Sequence, residues 1–301
     1  MRFKFWGVRG SIPSPGPKTV HYGGNTTCIE VRGDNNELLI LDGGTGIFPL
    51  GQMLIPEFPL KAYIFITHTH WDHIQGLPMF LPIFVPGNEV TIHGPADPIT
   101  QRDIGEVLAR QMEYAYFPVR EAELNARMTY QNILEGHDVQ VGGVNVRCML
   151  LNHPVLNFGY RLECNGKVFV FTGDHEWPYN IYNQDDAGYA DYQQMVDEQR
   201  SRVLDFFRGA DVLVIDTAYT DAEYPARRGW GHGTFATSIK AAREAGVKRV
   251  FLTHHEPTRS DADLDAVFEE ARKTHSVGSE GEPRFELAQE GLMIEILIEI
   301  L

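Results

Sequence analysis

The 301-residue chain has only three cysteines, Cys28, Cys148 and Cys164, and no two of them form a CxxC pair. Three widely spaced thiols exclude a disulfide framework and suit small core residues in a reducing compartment, so a cytoplasmic location is expected. Long apolar runs are missing too. No stretch of 18 apolar residues occurs, which excludes a membrane-spanning helix from the expectation. The opening MRFKFWGVRGSIPSPGP reaches Gly and Pro before a signal-peptide core could form. Basic residues are scarce: 26 Lys and Arg face 41 Asp and Glu, giving a formal charge of −15, with no basic block of five. A protein that holds long RNA or DNA neutralises several phosphates with Lys and Arg, so long nucleic acid is not expected as the main ligand. A small anionic substrate held by metal ions remains compatible, because bound cations invert the local field. Internal repeats, low-complexity tracts and a linker between domains are also absent. One domain over residues 1–301 is therefore expected.

What is present is enough for a sizeable core, with 43% hydrophobic and 11% aromatic residues. Short Val-, Ile-, Leu- and Phe-rich segments read as buried strands over 38–41, 62–66, 90–93, 144–151, 167–171, 211–215 and 248–252. Helices are expected over 191–208, ending at Gly209, and over 235–245, with Thr234 as N-cap and Gly246 as the stop. Asp261 reads as the cap of a further helix running to about 274. The ending LMIEILIEIL alternates, with Glu295 and Glu299 on one face, and reads as a last strand. The pattern is that of a layered, mixed α/β domain.

Five of the apolar segments end in a potential ligand or proton carrier. AYIFIT runs into His68, VRCMLLN into His153, KVFVFTG into Asp174, DVLVI into Asp216 and RVFLT into His254. Ligands in open α/β sheets collect beyond the strand ends, so five such endings point to one shared site. Taken singly, each has a bland reading as a hydrogen-bonded loop residue or a turn.

The spacing within THTHWDH divides the donors. Residues two apart in extended chain face the same way, so His68 and His70 can grip one ion while Asp72 and His73, beyond the bend, reach a second. His153 completes the first set, His254 joins the second, and Asp174 can bridge both. Two divalent ions are expected. Imidazole with carboxylate favours zinc, and the oxygen-richer second set also accepts manganese or iron.

THTHWDH, with His153, Asp174 and His254 downstream, resembles the metallo-β-lactamase superfamily. The resemblance runs from LLILDGGTG to LTHHEP. It implies a four-layer αββα sandwich of two mixed sheets flanked by helices. NHPVLNFGYRL, FTGD, DVLVIDTAY and GHGT resemble the tRNase Z and cyclic-phosphodiesterase branch, which cleaves phosphodiesters. That likeness implies that His232 of GHGT is a general acid near the metals without ligating them. Asp216 then stands where the branch carries its acidic partner, usually glutamate. Chemically, a histidine oriented by a carboxylate can deliver a proton to a leaving alkoxide near neutral pH. Attack would come from water activated between two ions about 3.5–4 Å apart, with Asp72 both ligating and orienting it. Asp42, Gly43 and Gly44 are candidates for orienting the metal-bound imidazoles, although Asp42 could equally be a turn cap.

Arg9, with Ser11 and the GGNT stretch, and Arg259 are candidates for holding substrate. His255 points opposite to His254 by strand alternation, and His21, His93, His137, His175 and His275 show no partner pattern. The span 96–136 reads as a helical cap insertion, with a helix over 99–112 followed by Tyr114, Tyr116 and Phe117. Tyr116 could stack on a base or an aromatic leaving group. The expected function is hydrolysis of a small diester such as a cyclic nucleotide. The rivals are a tRNase Z-like RNA endonuclease, a lactonase or thioesterase on the same fold, and a non-enzymatic ligand sensor. Pairing into a homodimer is left open.

Overall fold

A computed structural model describes residues 1–279 and 281–297. In chain order the first six strands are β1 (Arg2–Gly7), β2 (Cys28–Arg32), β3 (Leu38–Leu41), β4 (Lys61–Phe65), β5 (Glu89–Gly94) and β6 (Arg127–Asn132). The next seven are β7 (Val139–Val141), β8 (Val144–Leu151), β9 (Asn157–Cys164), β10 (Lys167–Phe171), β11 (Val212–Asp216), β12 (Arg249–Thr253) and β13 (Arg284–Leu287). β14 (Met293–Glu295) then returns to pair with β1. The result is two seven-stranded mixed sheets, ordered β14-β1-β2-β3-β4-β5-β6 and β13-β12-β11-β10-β9-β8-β7.

The sheets pack face to face through aromatic side chains that the two-residue period turns inward. Phe3 of the first sheet meets Phe169 and Phe251 of the second at ring separations of 4.9 and 5.6 Å. Helices cover the outer faces. Those on the first sheet are α1 (Ile47–Met53), α2 (Trp71–Ile74) and α3 (Ile104–Ala109); those on the second are α4 (Tyr189–Phe207), α5 (Phe235–Glu244) and α6 (Asp261–Thr274). This is the expected αββα sandwich.

The expected apolar strands lie within a residue of their positions. β1, β2, β6, β7, β9 and β13 were not expected, because Arg, Lys, Glu, Gln, Asn or Gly interrupts each hydrophobic string. The reading of 96–136 as a helical cap needs correction. Its helix is only α3 with a 3-10 turn at Arg110–Met112, and its second half is β6, paired in parallel with β5 from Glu89↔Arg127 to Gly94↔Asn132. In RMTYQN only Met128 and Tyr130 face inward, a weak alternation for an edge strand. Ser260, not Asp261, caps α6: its hydroxyl accepts from Asp263 N at 3.2 Å. Asp261 instead accepts from His21 N and Tyr22 N. Thr234 caps α5 as expected. Among the described residues the last strand covers Met293–Glu295, and Glu299 lies outside them.

Candidate metal centre

β10, β11 and β12 run parallel, and β8 points the same way because β9 is antiparallel to both of its neighbours. The C-terminal ends of four strands of the second sheet therefore open on one edge. β4 of the first sheet delivers Thr67–His73 to that edge, where Phe158 N donates to Thr67 O at 2.9 Å.

Two groups of donors meet there, and a third, Asp174, Asp216, His232 and His254, overlaps them. His68, His70, His153 and Asp174 have ligand atoms within 4.8 Å of one another, as do Asp72, His73, Asp174 and His254. Asp174 is common to both, and its oxygens divide between them. Oδ1 lies 3.1 Å from His73 Nε2 and 3.2 Å from His254 Nε2. Oδ2 lies 3.5 Å from His68 Nε2 and 3.8 Å from His153 Nε2. Asp72 Oδ2 reaches His254 Nε2 at 3.3 Å and His73 Nε2 at 3.4 Å.

Several of these atoms are buried with no hydrogen bond: His68 Nε2, His73 Nε2 and Asp174 Oδ1. Leaving such atoms unpaired costs roughly 1–3 kcal/mol each, and a bound cation would satisfy the converging ones. The charge states agree with that use. Burial pushes His68, His70 and His153 below the ordinary imidazole value, which favours the neutral, ligating form; His70 Nδ1 and His153 Nε2 lie 3.2 Å apart. Burial also disfavours charge on His73 and His254, but Asp174 and its neighbouring carboxylates outweigh it; His254 is raised to about 9. Protons there stand where a cation would compensate the same carboxylates. The donor set fits divalent metal ions.

Supporting contacts hold the donors in place. Asp42 Oδ2 accepts from His73 Nδ1 at 2.7 Å, and Thr67 Oγ1 lies 3.1 Å from His68 Nδ1 while donating to Asp42. His153 Nδ1 donates to Gly231 O at 2.9 Å. Ser11 N donates to Asp72 Oδ2 at 2.7 Å. The loop that carries Ser11 approaches so closely that a Cβ on Gly10 would fall 2.1 Å from the His254 ring.

His232 lies beside the cluster, 12% exposed, with Nδ1 at 2.9 Å from Asp216 Oδ2 and 3.8 Å from Asp174 Oδ2. Asp216 is buried and also accepts from His175 N and Ala218 N, which fixes its carboxylate. Burial disfavours the imidazolium, but Asp216 and Asp174 outweigh it and raise the His232 pKa. The loop that presents His232 is tied by Glu176, which sequence reading missed. Its buried carboxylate accepts from Tyr224 Oη at 2.7 Å, Gly229 N at 2.8 Å and Gly231 N at 3.0 Å. No signal in the sequence marks it beyond its place two residues after Asp174.

The expected substrate residues are placed elsewhere. Arg9 is fully buried, donating to the carbonyls of Gly23, Glu256 and Arg259. Arg259 donates to Ala218 O and pairs with Glu223. Both guanidinium groups therefore brace loops around the site. Tyr116 is 77% exposed and lines neither cavity beside His153. His255 turns away and its Nε2 donates to Ala288 O at 2.8 Å. Among the described residues, no helix is long and apolar enough to cross a membrane.

Residues 40–255 match the family model of the beta-lactamase superfamily domain. Across 305 aligned residues the chain is 27% identical to a Ribonuclease Z of Thermoplasma acidophilum, covering 91% of each protein. Its fold is similar to that of Zn(2+)-bound PqqB from Methylobacterium extorquens, with TM-score 0.62 and 17% identity over 98% of this chain and 100% of that one. It is also similar to a diphosphatase of the PhnP family, with TM-score 0.61 and 17% identity over 99% of this chain and 98% of that one. With a family model spanning both donor groups and the αββα layers, the chain belongs to the metallo-β-lactamase superfamily and is one of its hydrolases.

Proposed function

We propose that the protein is a binuclear phosphodiesterase acting on a small diester such as a cyclic nucleotide. The observation that carries this reading is the His232–Asp216 pair, 2.9 Å long and next to the bridging carboxylate. Acyl transfer asks instead for an oxyanion donor, whereas an alkoxide leaving phosphorus needs a proton.

His68, His70, His153 and Asp174 would hold one ion, and Asp72, His73, Asp174 and His254 the other. Zinc suits the imidazole-rich set, and manganese or iron could occupy the second; the Zn(2+)-bound neighbour supports this choice. When bound, such ions supply charge stabilisation at the phosphoryl oxygens and lower the pKa of water. The chain's own groups do the rest. Asp216 accepts the Nδ1 proton of His232 and so fixes the tautomer, leaving Nε2 to hold the proton destined for the leaving oxygen. Asp72, anchored by Ser11 N, orients the attacking water.

The Ribonuclease Z relative, matched along nearly its whole length, supports a second reading as an RNA endonuclease. The formal charge of −15 favours the small diester, because structured RNA requires a basic track. The diphosphatase neighbour points in the same direction. The unpaired, buried cysteines accord with a cytoplasmic location.

The test is His232→Ala on metal-loaded protein. Both metals should remain, while turnover of an alkyl diester falls by roughly 10²–10⁴-fold and that of a p-nitrophenyl diester falls far less. Asp216→Asn should act in the same direction more weakly. Equal losses on the two substrates, or loss of metal, would overturn the proton-donor role. Faster cleavage of a structured RNA than of any small diester would favour the endonuclease.

A further inference from the structure

A cavity of about 380 Å³ adjoins the metal centre, within the roughly 300–1,000 Å³ range of small-molecule sites. Thr69, which sits between His68 and His70, forms part of its wall, and so does His153. The cavity thus begins where the first donor group meets solvent, beside the exposed His70. Its other walls are mostly apolar. Ile99 is 89% exposed and Val155 39% exposed, and three prolines stiffen the rim.

The charge of this wall is as informative as its apolarity. Among the described residues no lysine or arginine lines the cavity, and its one acidic residue is Asp97. That carboxylate is already engaged by Ile99 N at 2.9 Å and by the Thr100 hydroxyl. Thr69, Gln199 and Asn152 are its neutral hydrogen-bonding side chains, with Asn152 Nδ2 already donating to Glu176 O at 3.0 Å. A flanking phosphate of a polynucleotide would find one carboxylate there and no cation. An uncharged ring or branched alkyl group would find apolar contact and two amides.

We infer that this cavity seats an uncharged, apolar ester group of the substrate. The preferred diester therefore carries one bulky neutral substituent next to the scissile phosphate. The inference rests on the phosphodiesterase reading and narrows it to a substrate class. It also assigns a role to the start of the 96–136 span, with Ile99 rather than Tyr116 at the substrate.

The experiment compares two diesters with the same leaving group, bis(p-nitrophenyl) phosphate and methyl p-nitrophenyl phosphate, on metal-loaded protein. They share the leaving group, but the second aryl group doubles the departing positions and activates phosphorus, so the kcat/KM ratio is divided by the ratio of the two uncatalysed hydrolysis rates. Burying an aryl ring instead of a methyl should raise kcat/KM by roughly 10- to 100-fold. Val155→Trp, which fills the cavity, and Ile99→Ser, which removes its apolar wall, should each bring that ratio toward one. Both side chains reach solvent, so folding is expected to survive, and circular dichroism checks it. A ratio near one in the unaltered protein, or a ratio kept in both variants, would overturn the subsite. If neither diester is cleaved, the phosphodiesterase reading fails by itself. Calorimetric binding of diphenyl phosphate against dimethyl phosphate then decides the cavity separately: tighter binding of the diphenyl ester, lost in Val155→Trp, supports it, and equal affinity overturns it.

Discussion

His73 Nδ1 lies 2.7 Å from Asp42 Oδ2, and both side chains are buried. Asp42 stands at the end of β3 with φ 61°, a left-handed conformation that Asp and Asn tolerate better than most residues. The same carboxylate receives Thr67 N at 2.7 Å, so one residue orients the strand end and the imidazole together. An imidazole whose Nδ1 proton is fixed in this way presents Nε2 as a lone pair to a metal. Asp42→Asn keeps the backbone conformation and weakens the acceptor. Metal affinity at the Asp72–His73–His254 group should fall by roughly 10- to 100-fold, read by competition with a chromogenic chelator. Unchanged affinity would return Asp42 to a purely structural role.

Asp174 faces both donor groups with different oxygens. Elemental analysis of gently purified protein should therefore approach two divalent ions per chain, and Asp174→Ala should weaken both sites. One ion that survives Asp174→Ala at full occupancy would remove the bridging assignment.

Glu176 collects three donors from a single loop. Glu176→Gln keeps the shape but turns an amide NH₂ toward donors, which should cost about 1–3 kcal/mol of stability in urea titrations. The loop carries His232, so, on the proposed proton-donor role, kcat should drop on the order of 10- to 100-fold through misplacement of that imidazole. Tyr224→Phe removes one donor and should do less. Unaltered kcat in Glu176→Gln would show that the loop holds its place without this anchor.

His93 is buried outside the two donor groups, stacked on Phe65 at 4.7 Å and 8°, with Nε2 unpaired. Burial pushes its pKa from 6.5 down to about 4. The unfolded chain therefore takes up a proton below about pH 6.5 that the folded chain refuses until about pH 4. The stability contributed by neutral His93 is complete above that window and is lost as pH falls through it. Urea titrations of His93→Phe at pH 7, 5.5 and 4.5 should give a shallower decline than those of the unaltered protein. Parallel declines would mean that other groups carry the acid limb.

The metal motif and the strand ends were readable from sequence because each is a local string. Apolar residues of the right length, followed by an imidazole or carboxylate, behave alike wherever they occur, and His68, His153, Asp174, Asp216 and His254 all follow this rule. Helix caps such as Thr234 are equally local. The acidic balance was also legible, since charge is additive along the chain. Tertiary structure alone decided the remainder. Arg9 and Arg259 read as substrate residues, yet their guanidinium groups are engaged by distant segments, Arg9 by backbone carbonyls and Arg259 by Ala218 O and the Glu223 carboxylate, a partner choice that no nearby residue encodes. Glu176 gains its role from a loop more than fifty residues later. β6 becomes a strand because β5 offers it an edge, although its own alternation is weak. Chemical identity is written residue by residue. Which groups satisfy one another, and which are left to face a metal ion, depends on distances that exist only once two sheets have packed.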